Sequence, residues 1–287
     1  INRLSREGKR LIGYVDPYFP EEIAYAYGFH PIRLTGKDID LKESEHVIAS
    51  FTCHFARSIL EQALRGDFKG LEGFVFTRYC DSIRGIYEVL RKESAESWVY
   101  YIKYPSVISD DAVQYLTAEL MELCCFFEKK SGRIISDTEL IHSIRLFNRK
   151  RKILKEINGL KKKRSINMSN RQYISLIISS GLMDPIDFIN EIEDFIEQSK
   201  TSQIDESKIP IIVSGMMNDS IELFEMFDRF NIDVVSDDLA FGTRYFIGNI
   251  VEDDKGGLLY SISKRYLNKI PCSTKHPTER RHNHIIR

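Results

Sequence analysis

Five cysteines are the residues most able to do chemistry in this chain: Cys53, Cys80, Cys124, Cys125 and Cys272. An odd count, widely spread, argues against a disulfide scaffold and for a reducing compartment. The natural compartment is the cytoplasm, where cysteines fill cores, attack as nucleophiles or hold metals. Cys53 and Cys80 share one station. Cys53 follows the apolar run 47–51 and precedes a helical pattern at Phe55; Cys80 follows Phe74-Val75-Phe76 and precedes one at Ser82. Both thus read as lying past a strand's carboxyl end, at a helix N-terminus. Ligands of open α/β sheets gather at that edge. Helix N-terminal N–H groups favour anions, and a thiolate is the soft ligand that iron–sulfur clusters require. The separation is too wide for a compact ligand motif, so a reading as two inert core cysteines stays open.

The other groups divide less sharply. Cys124-Cys125 sits inside an apolar helical stretch, Leu120–Phe127, where neighbours point about 100° apart, so core packing is expected. Cys272 falls in a loop after the helical Ser263–Leu267 and could approach an inter-lobe cleft. Asp237-Asp238 and Arg244 follow another strand pattern and could bind a polar ligand or cap and pair among themselves. Glu21-Glu22 has the same two readings, because early glutamates also complement a helix dipole. His54 beside Cys53 does not make a catalytic pair, since neighbours at a helix start rarely face each other.

The elements that must carry these groups follow from the apolar pattern. Expected strands are Leu11–Val15, Pro31–Leu34, His46–Ser50, Leu71–Thr77, Trp98–Tyr104, Ile209–Val213 and Ile232–Val235. Helices are expected between them. Pro20 starts one that Gly28 ends, and Asp81 or Ser82 caps another. From Ser109 to Lys200 helical periodicity dominates. Its basic run, Arg149–Arg164, reads as a solvated helix face because Ile153, Leu154, Ile157 and Leu160 recur within it at helical spacing. The fold class is therefore α/β: two doubly wound parallel-sheet lobes joined by a helical layer. The expected divisions are 1–108, 109–207 and 208–287, the last truncated. The polar start does not resemble a signal peptide, and the absence of an initiator Met together with a last stretch, Thr278–Arg287, that stops mid-pattern suggests part of a longer chain.

Composition removes whole classes. Of 287 residues, 41 are Lys or Arg and 42 are Asp or Glu, a net charge of −1. No basic field exists to hold nucleic acid. No apolar run approaches the roughly 18–20 residues that span a bilayer. The chain shows no dinucleotide glycine motif, no Walker loop and no Gly-x-Ser-x-Gly elbow.

Four blocks together resemble one family. Pro20, Glu22, Ala26 and Gly28 fall on the opening "P-x-E-x-x-x-A-x-G" segment of the 2-hydroxyacyl-CoA dehydratase and benzoyl-CoA reductase family. Cys53-His54-Phe55-Ala56-Arg57-Ser58 looks like its first cluster-cysteine motif, and Tyr79-Cys80-Asp81-Ser82 like its second. Residues 234–246, Val-Val-Ser-Asp-Asp-Leu-Ala-Phe-Gly-Thr-Arg-Tyr-Phe, look like its "V-V-x-D-D-L-x-x-G-x-R-Y-F" segment. The blocks stand in family order over most of the chain.

The resemblance implies a subunit of two α/β lobes with a [4Fe-4S] cluster held by cysteines, here Cys53 and Cys80 with Cys272 as a third candidate. Glu22, Asp238 and Arg244 are the implied substrate-cleft residues. It implies an acyl-CoA substrate and a related second subunit, for which the apolar residues of the helical layer offer a docking surface. It also implies an ATP-hydrolysing iron–sulfur activator, with no nucleic acid or membrane partner. Dehydratases of the family remove water from a 2-hydroxyacyl-CoA through a ketyl radical; its reductases reduce an aromatic acyl-CoA ring. A metal-free scaffold or assembly subunit of the same fold is the rival outside enzymes. Two positions depart from the pattern. Ala240 stands where many dehydratase members carry Cys, and the usual third cluster cysteine, in a late "F-C" segment, has no counterpart before Arg287.

Overall fold

The computed structural model describes residues 1–94, 97–200, 205–252, 256–272 and 278–286. The chain forms two compact units. Residues 1–144 with 250–268 make the first, and 145–249 with 269–287 the second.

The first unit is built on four parallel strands: β1 (Arg10–Tyr14), β2 (Phe29–Arg33), β3 (Leu71–Thr77) and β4 (Trp98–Ile102). Their order is β2-β1-β3-β4. From β1 the chain passes to β2 on one side through the Glu21–Ala26 helix, whereas β3 pairs on the other side, with Gly13 beside Phe74 and Tyr14 beside Val75. The winding therefore changes direction between β1 and β3, the kind of switch point where open sheets bind ligands. The strands read as continuous apolar runs because both faces are covered. Leu11, Ile12, Val75 and Phe76 are wholly buried, each contributing about 1.5–3 kcal/mol. Gly73 is required by a close approach: a Cβ there would lie 2.1 Å from the Trp98 ring.

The helices of this unit end where their residues say they should. Pro20 is the N-cap of the Glu21–Ala26 helix, and Gly28, at φ +84°, follows its C-cap Tyr27. Ser109 caps the Asp110–Ser131 helix by accepting from the Ala112 N–H at 3.1 Å, and left-handed Gly132 closes it. The Leu258–Leu267 helix packs on it.

The second unit carries a two-stranded parallel sheet among the described residues, β5 (Ile209–Ser214) and β6 (Ile232–Asp238), with Ser214 beside Asp238. The Ile221–Arg229 helix connects them, capped by Ser220. The Asn170–Ser180 helix opens with a capping box between Ser169 and Gln172, and Asp184 caps the Pro185–Ser199 helix with Pro185 in its first turn. Ile157, Tyr173, Ile177, Phe188 and Ile189 form its core.

Three expectations are corrected here. His46–Ser50 is not a strand: Glu43–Val47 is a helix and the chain then loops to Cys53. The buried Glu61 carboxylate explains this. It accepts from the backbone N–H groups of Lys42, Glu43 and Ser44, at 2.8–3.2 Å, and so fixes a helix N-terminus. Second, Cys125 is exposed and Cys124 half-buried, so the pair is not core packing. One face of the Asp110–Ser131 helix is buried through Leu116, Leu120, Leu123 and Phe127, and Cys125 lies off it.

Third, the basic run is not a solvated face. Lys150 is buried, donating to the Ser180 carbonyl and the Tyr245 hydroxyl. Lys161 is buried against Asp233 and the Met168 carbonyl. Only part of the run faces water, as in the Arg149–Glu193 pair. Long cationic side chains that find acceptors can be buried, and the apolar spacing alone does not reveal those acceptors.

Candidate active site

Cys80 is the N-cap of the Asp81–Glu93 helix, three residues beyond the end of β3. Its carbonyl accepts the Arg84 N–H at 3.0 Å. Neither Asp81 nor Ser82 is the cap, as the sequence suggested; Asp81 stands in the first turn, where its charge complements the dipole. Cys53 is the N-cap of the His54–Leu64 helix, and its carbonyl accepts the Arg57 N–H at 3.1 Å. Neither side chain makes a capping hydrogen bond. Both thiols are half-buried and outside any disulfide.

The two helices pack against each other. The loop before Cys53 presses on the start of the second helix, where a Cβ on Gly85 would come within 3.1 Å of Ile48 Cδ1. Arg57 ties that loop down through Glu45 at 2.6 Å and the Ser50 carbonyl at 3.4 Å. Burial alone would raise the Glu61 carboxyl, but the N–H groups of Ser44, Lys42 and Glu43 and the Ser44 side chain hold it down at about 2. The segment leading to Cys53 is therefore anchored by an ionised carboxylate.

Glu22 is buried in the same unit. Its Oε2 accepts from the Tyr266 hydroxyl at 2.8 Å and its carbonyl from Ser143 Oγ at 2.7 Å. Its neighbour Glu21 accepts from the Tyr14 hydroxyl at 3.0 Å.

Asp238 and Arg244 lie together in the second unit, at the end of β6. Arg244 Nε is 3.2 Å from Asp238 Oδ1, both side chains almost wholly buried. The guanidinium also donates to the Gly215 carbonyl and, at 3.1 Å, to the Asp238 carbonyl. Arg281 Nε reaches Asp238 Oδ2 at 2.7 Å, and Ser214 Oγ donates to the same oxygen at 3.2 Å. Asp237 caps the turn instead. Its Oδ1 accepts from the Thr243 N–H at 2.8 Å and the Leu239 N–H at 3.1 Å, and its Oδ2 from the Tyr173 hydroxyl at 2.9 Å. Burial raises its carboxyl despite these bonds. Cys272 is buried in this second unit.

Among the described residues, no three His, Cys, Asp or Glu side chains form a metal-binding group. Two thiols at helix N-termini have the donor chemistry an iron–sulfur cluster needs, but they fit only as part of a ligand set, since two thiolates do not by themselves hold such a cluster. The remaining thiols do not complete it by type alone. Cys124 is bonded to Tyr27 and burial pushes it up to about 11, well away from a thiolate.

Sequence reading missed Asp16, Thr77, Tyr104 and Arg281. Asp16 carried a local signal, an Asp-Pro at a strand end. Arg281 carried none, because its partner Asp238 is far away in the chain. Among the described residues, no helix is long and apolar enough to cross a membrane.

Residues 17–287 match the family model described as 2-hydroxyglutaryl-CoA dehydratase, D-component. The chain is 23% identical to the beta subunit of (R)-phenyllactyl-CoA dehydratase of Clostridium sporogenes, over all of this chain and 76% of that protein. It is 24% identical to one of the subunits of the benzoyl-CoA reductase of Thauera aromatica, over 91% of this chain and 69% of the relative. It is also 24% identical to the beta subunit of (R)-2-hydroxyglutaryl-CoA dehydratase of Acidaminococcus fermentans, over 90% and 69%.

Proposed function

This chain belongs to the 2-hydroxyglutaryl-CoA dehydratase D-component family, and from that premise we propose that it is a subunit of an enzyme that dehydrates a 2-hydroxyacyl-CoA. The observation that carries the reading is the pair of half-buried cysteines at the N-termini of two helices that pack together, with Cys80 three residues past the end of β3, beside the β1/β3 switch point. Two of the relatives are named as subunits of acyl-CoA dehydratases, and each is one subunit of a larger enzyme. That supports a second subunit, which we expect to be related to this one and paired with it over more than about 1,000 Å².

In this reading Cys53 and Cys80 hold a [4Fe-4S] cluster as thiolates, with Cys272 a further candidate ligand. When bound, such a cluster supplies single electrons and an iron site able to polarise an oxygen. The helix N-termini favour the negative charge that thiolates bring. The buried strands β1 and β3 and the bonded Glu61 and Arg57 hold the two loops in fixed positions, which a metal site needs. Glu22, Asp238 and Arg244 are proposed to take part in acyl-CoA binding. A reducing cytoplasm suits thiols that must stay unoxidised. Electrons would come from a separate ATP-hydrolysing iron–sulfur activator, as the resemblance to the family implies.

A second reading, reduction of an aromatic acyl-CoA ring, rests on the likeness to the benzoyl-CoA reductase of Thauera aromatica. One assay separates the possibilities. Anaerobically purified protein, with its second subunit, activator and ATP, is given 2-hydroxyacyl-CoA and aromatic acyl-CoA in parallel. Dehydration that stops without ATP supports the proposal. Ring reduction alone favours the second reading. Turnover by this chain without ATP or activator contradicts the electron route, and a colourless, iron-free, inactive protein favours a scaffold role.

A further inference from the structure

Asp16 lies two residues past the end of β1 and is wholly buried. Its Oδ1 accepts two hydrogen bonds of different reach. The Tyr18 backbone N–H donates at 2.9 Å and closes a turn in Asp16's own loop. The Thr77 hydroxyl donates at 2.7 Å and comes from the last residue of β3, on the far side of the switch point. The path from Thr77 to Cys80 is then held at each residue. Arg78 donates its N–H to the Ile102 carbonyl at the end of β4, at 3.1 Å, and Tyr79 donates to the Thr77 carbonyl at 2.7 Å.

The Tyr79 ring packs against Tyr18 at 5.6 Å between centroids, and Tyr18 against Tyr104 at 5.7 Å. The Tyr104 hydroxyl closes the frame by donating to the Tyr18 carbonyl at 2.6 Å. All three tyrosines are buried. Asp16 is the junction of this frame, because it bonds both the loop that carries Tyr18 and the strand end that leads to Tyr79.

We propose that Asp16 is a positioning residue for Cys80, fixing the direction in which that thiol leaves the sheet by joining the end of β1 to the end of β3. The proposal rests on the reading of Cys80 as a ligand and adds the group that aims it. Cys53 has a separate support. Its approach is pinned by Glu61 and Arg57, and among the described contacts neither touches Asp16. The two thiols therefore serve as a test and a control within one molecule. If Asp16 only closed its own turn, its loss would loosen residues 16–18 and leave Cys80 as it was.

The experiment uses metal-free, reduced protein, with Cys80 and Cys53 labelled by N-ethylmaleimide and their rates read separately by peptide mass spectrometry. Asp16→Ala is expected to raise the Cys80 rate by about fivefold or more, on the scale of one lost net hydrogen bond, with Cys53 changing by less than about twofold. Asp16→Asn, which keeps an acceptor oxygen, should return Cys80 to near the unaltered rate. Thr77→Val removes only the bond between the strands and should raise the Cys80 rate in the same direction. It carries the test if Asp16→Ala does not fold. Equal acceleration of both thiols, no change at either, or an unaltered Cys80 rate in folded Thr77→Val would overturn the assignment. Iron content is measured separately on the unaltered chain, so a protein that takes no iron defeats the proposed function without deciding the role of Asp16.

Discussion

The carboxyl edges of the two sheets use their polar residues differently. At the end of β6, Asp238, Arg244, Arg281 and Ser214 bond one another, and Asp237 spends its oxygens on Thr243, Leu239 and Tyr173. At the edge of the first sheet, Asp16 and Thr77 bond each other, and beyond β3 the half-buried Cys80 stands at a helix start without a side-chain capping bond. The lesson is that topological position does not by itself make a ligand site. The second edge is a braced corner, whereas the first leads to a half-buried cysteine at a helix start.

The largest effect should come from breaking the brace. Asp238→Ala leaves the Arg244 guanidinium buried without its carboxylate, a change that typically costs about 3–5 kcal/mol. Thermal or denaturant melting should show the loss; a fall below about 1 kcal/mol would mean that the corner is not structural.

The anchor beneath Cys53 is sharpened by pH. The Glu61 carboxyl falls from an ordinary 4.5 to about 2 on folding. A carboxyl lowered on folding stabilises above its unfolded value and loses that contribution as pH drops through the folded one. Stability should therefore decline between about pH 4.5 and 2, by about 3 kcal/mol from this group. Glu61→Gln should flatten that part of the profile, which urea titrations at stepped pH would reveal.

Gly242→Ala is expected to cost about 1–3 kcal/mol, because an added Cβ would collide with the Asp237 carboxylate, which would have to shift. A neutral melting curve would show that the turn adapts freely. Smallest of all, Cys80→Ser in metal-free protein should move stability by no more than about 0.5 kcal/mol, since the thiol caps nothing and the sheet core lies elsewhere. Destabilisation on the scale of Asp238→Ala would place both edges in one class and dissolve the contrast.

How much of this could be read from the sequence depends on whether the cause was local. Leu71–Thr77 was legible to the residue because a run of apolar groups ends in turn residues. Pro20 and Gly28 marked helix ends through backbone chemistry that needs no tertiary context. The station of Cys80 was legible for the same reason. The helix at Glu43–Val47 was hidden because the carboxylate that fixes its start comes from Glu61, on another helix. The bond from Arg281 to Asp238 and the burial of Lys161 against Asp233 were hidden likewise. Each depends on a partner that periodicity does not encode.

The most direct test of the central claim is the iron and acid-labile sulfide content of anaerobically purified protein, measured beside Cys53→Ser and Cys80→Ser. The account predicts iron and sulfide in the unaltered protein, a visible absorption that bleaches on reduction, and loss of both in each variant, with the folded far-ultraviolet circular dichroism retained. Iron bound equally by all three, or none bound by the unaltered protein prepared without oxygen, would contradict it.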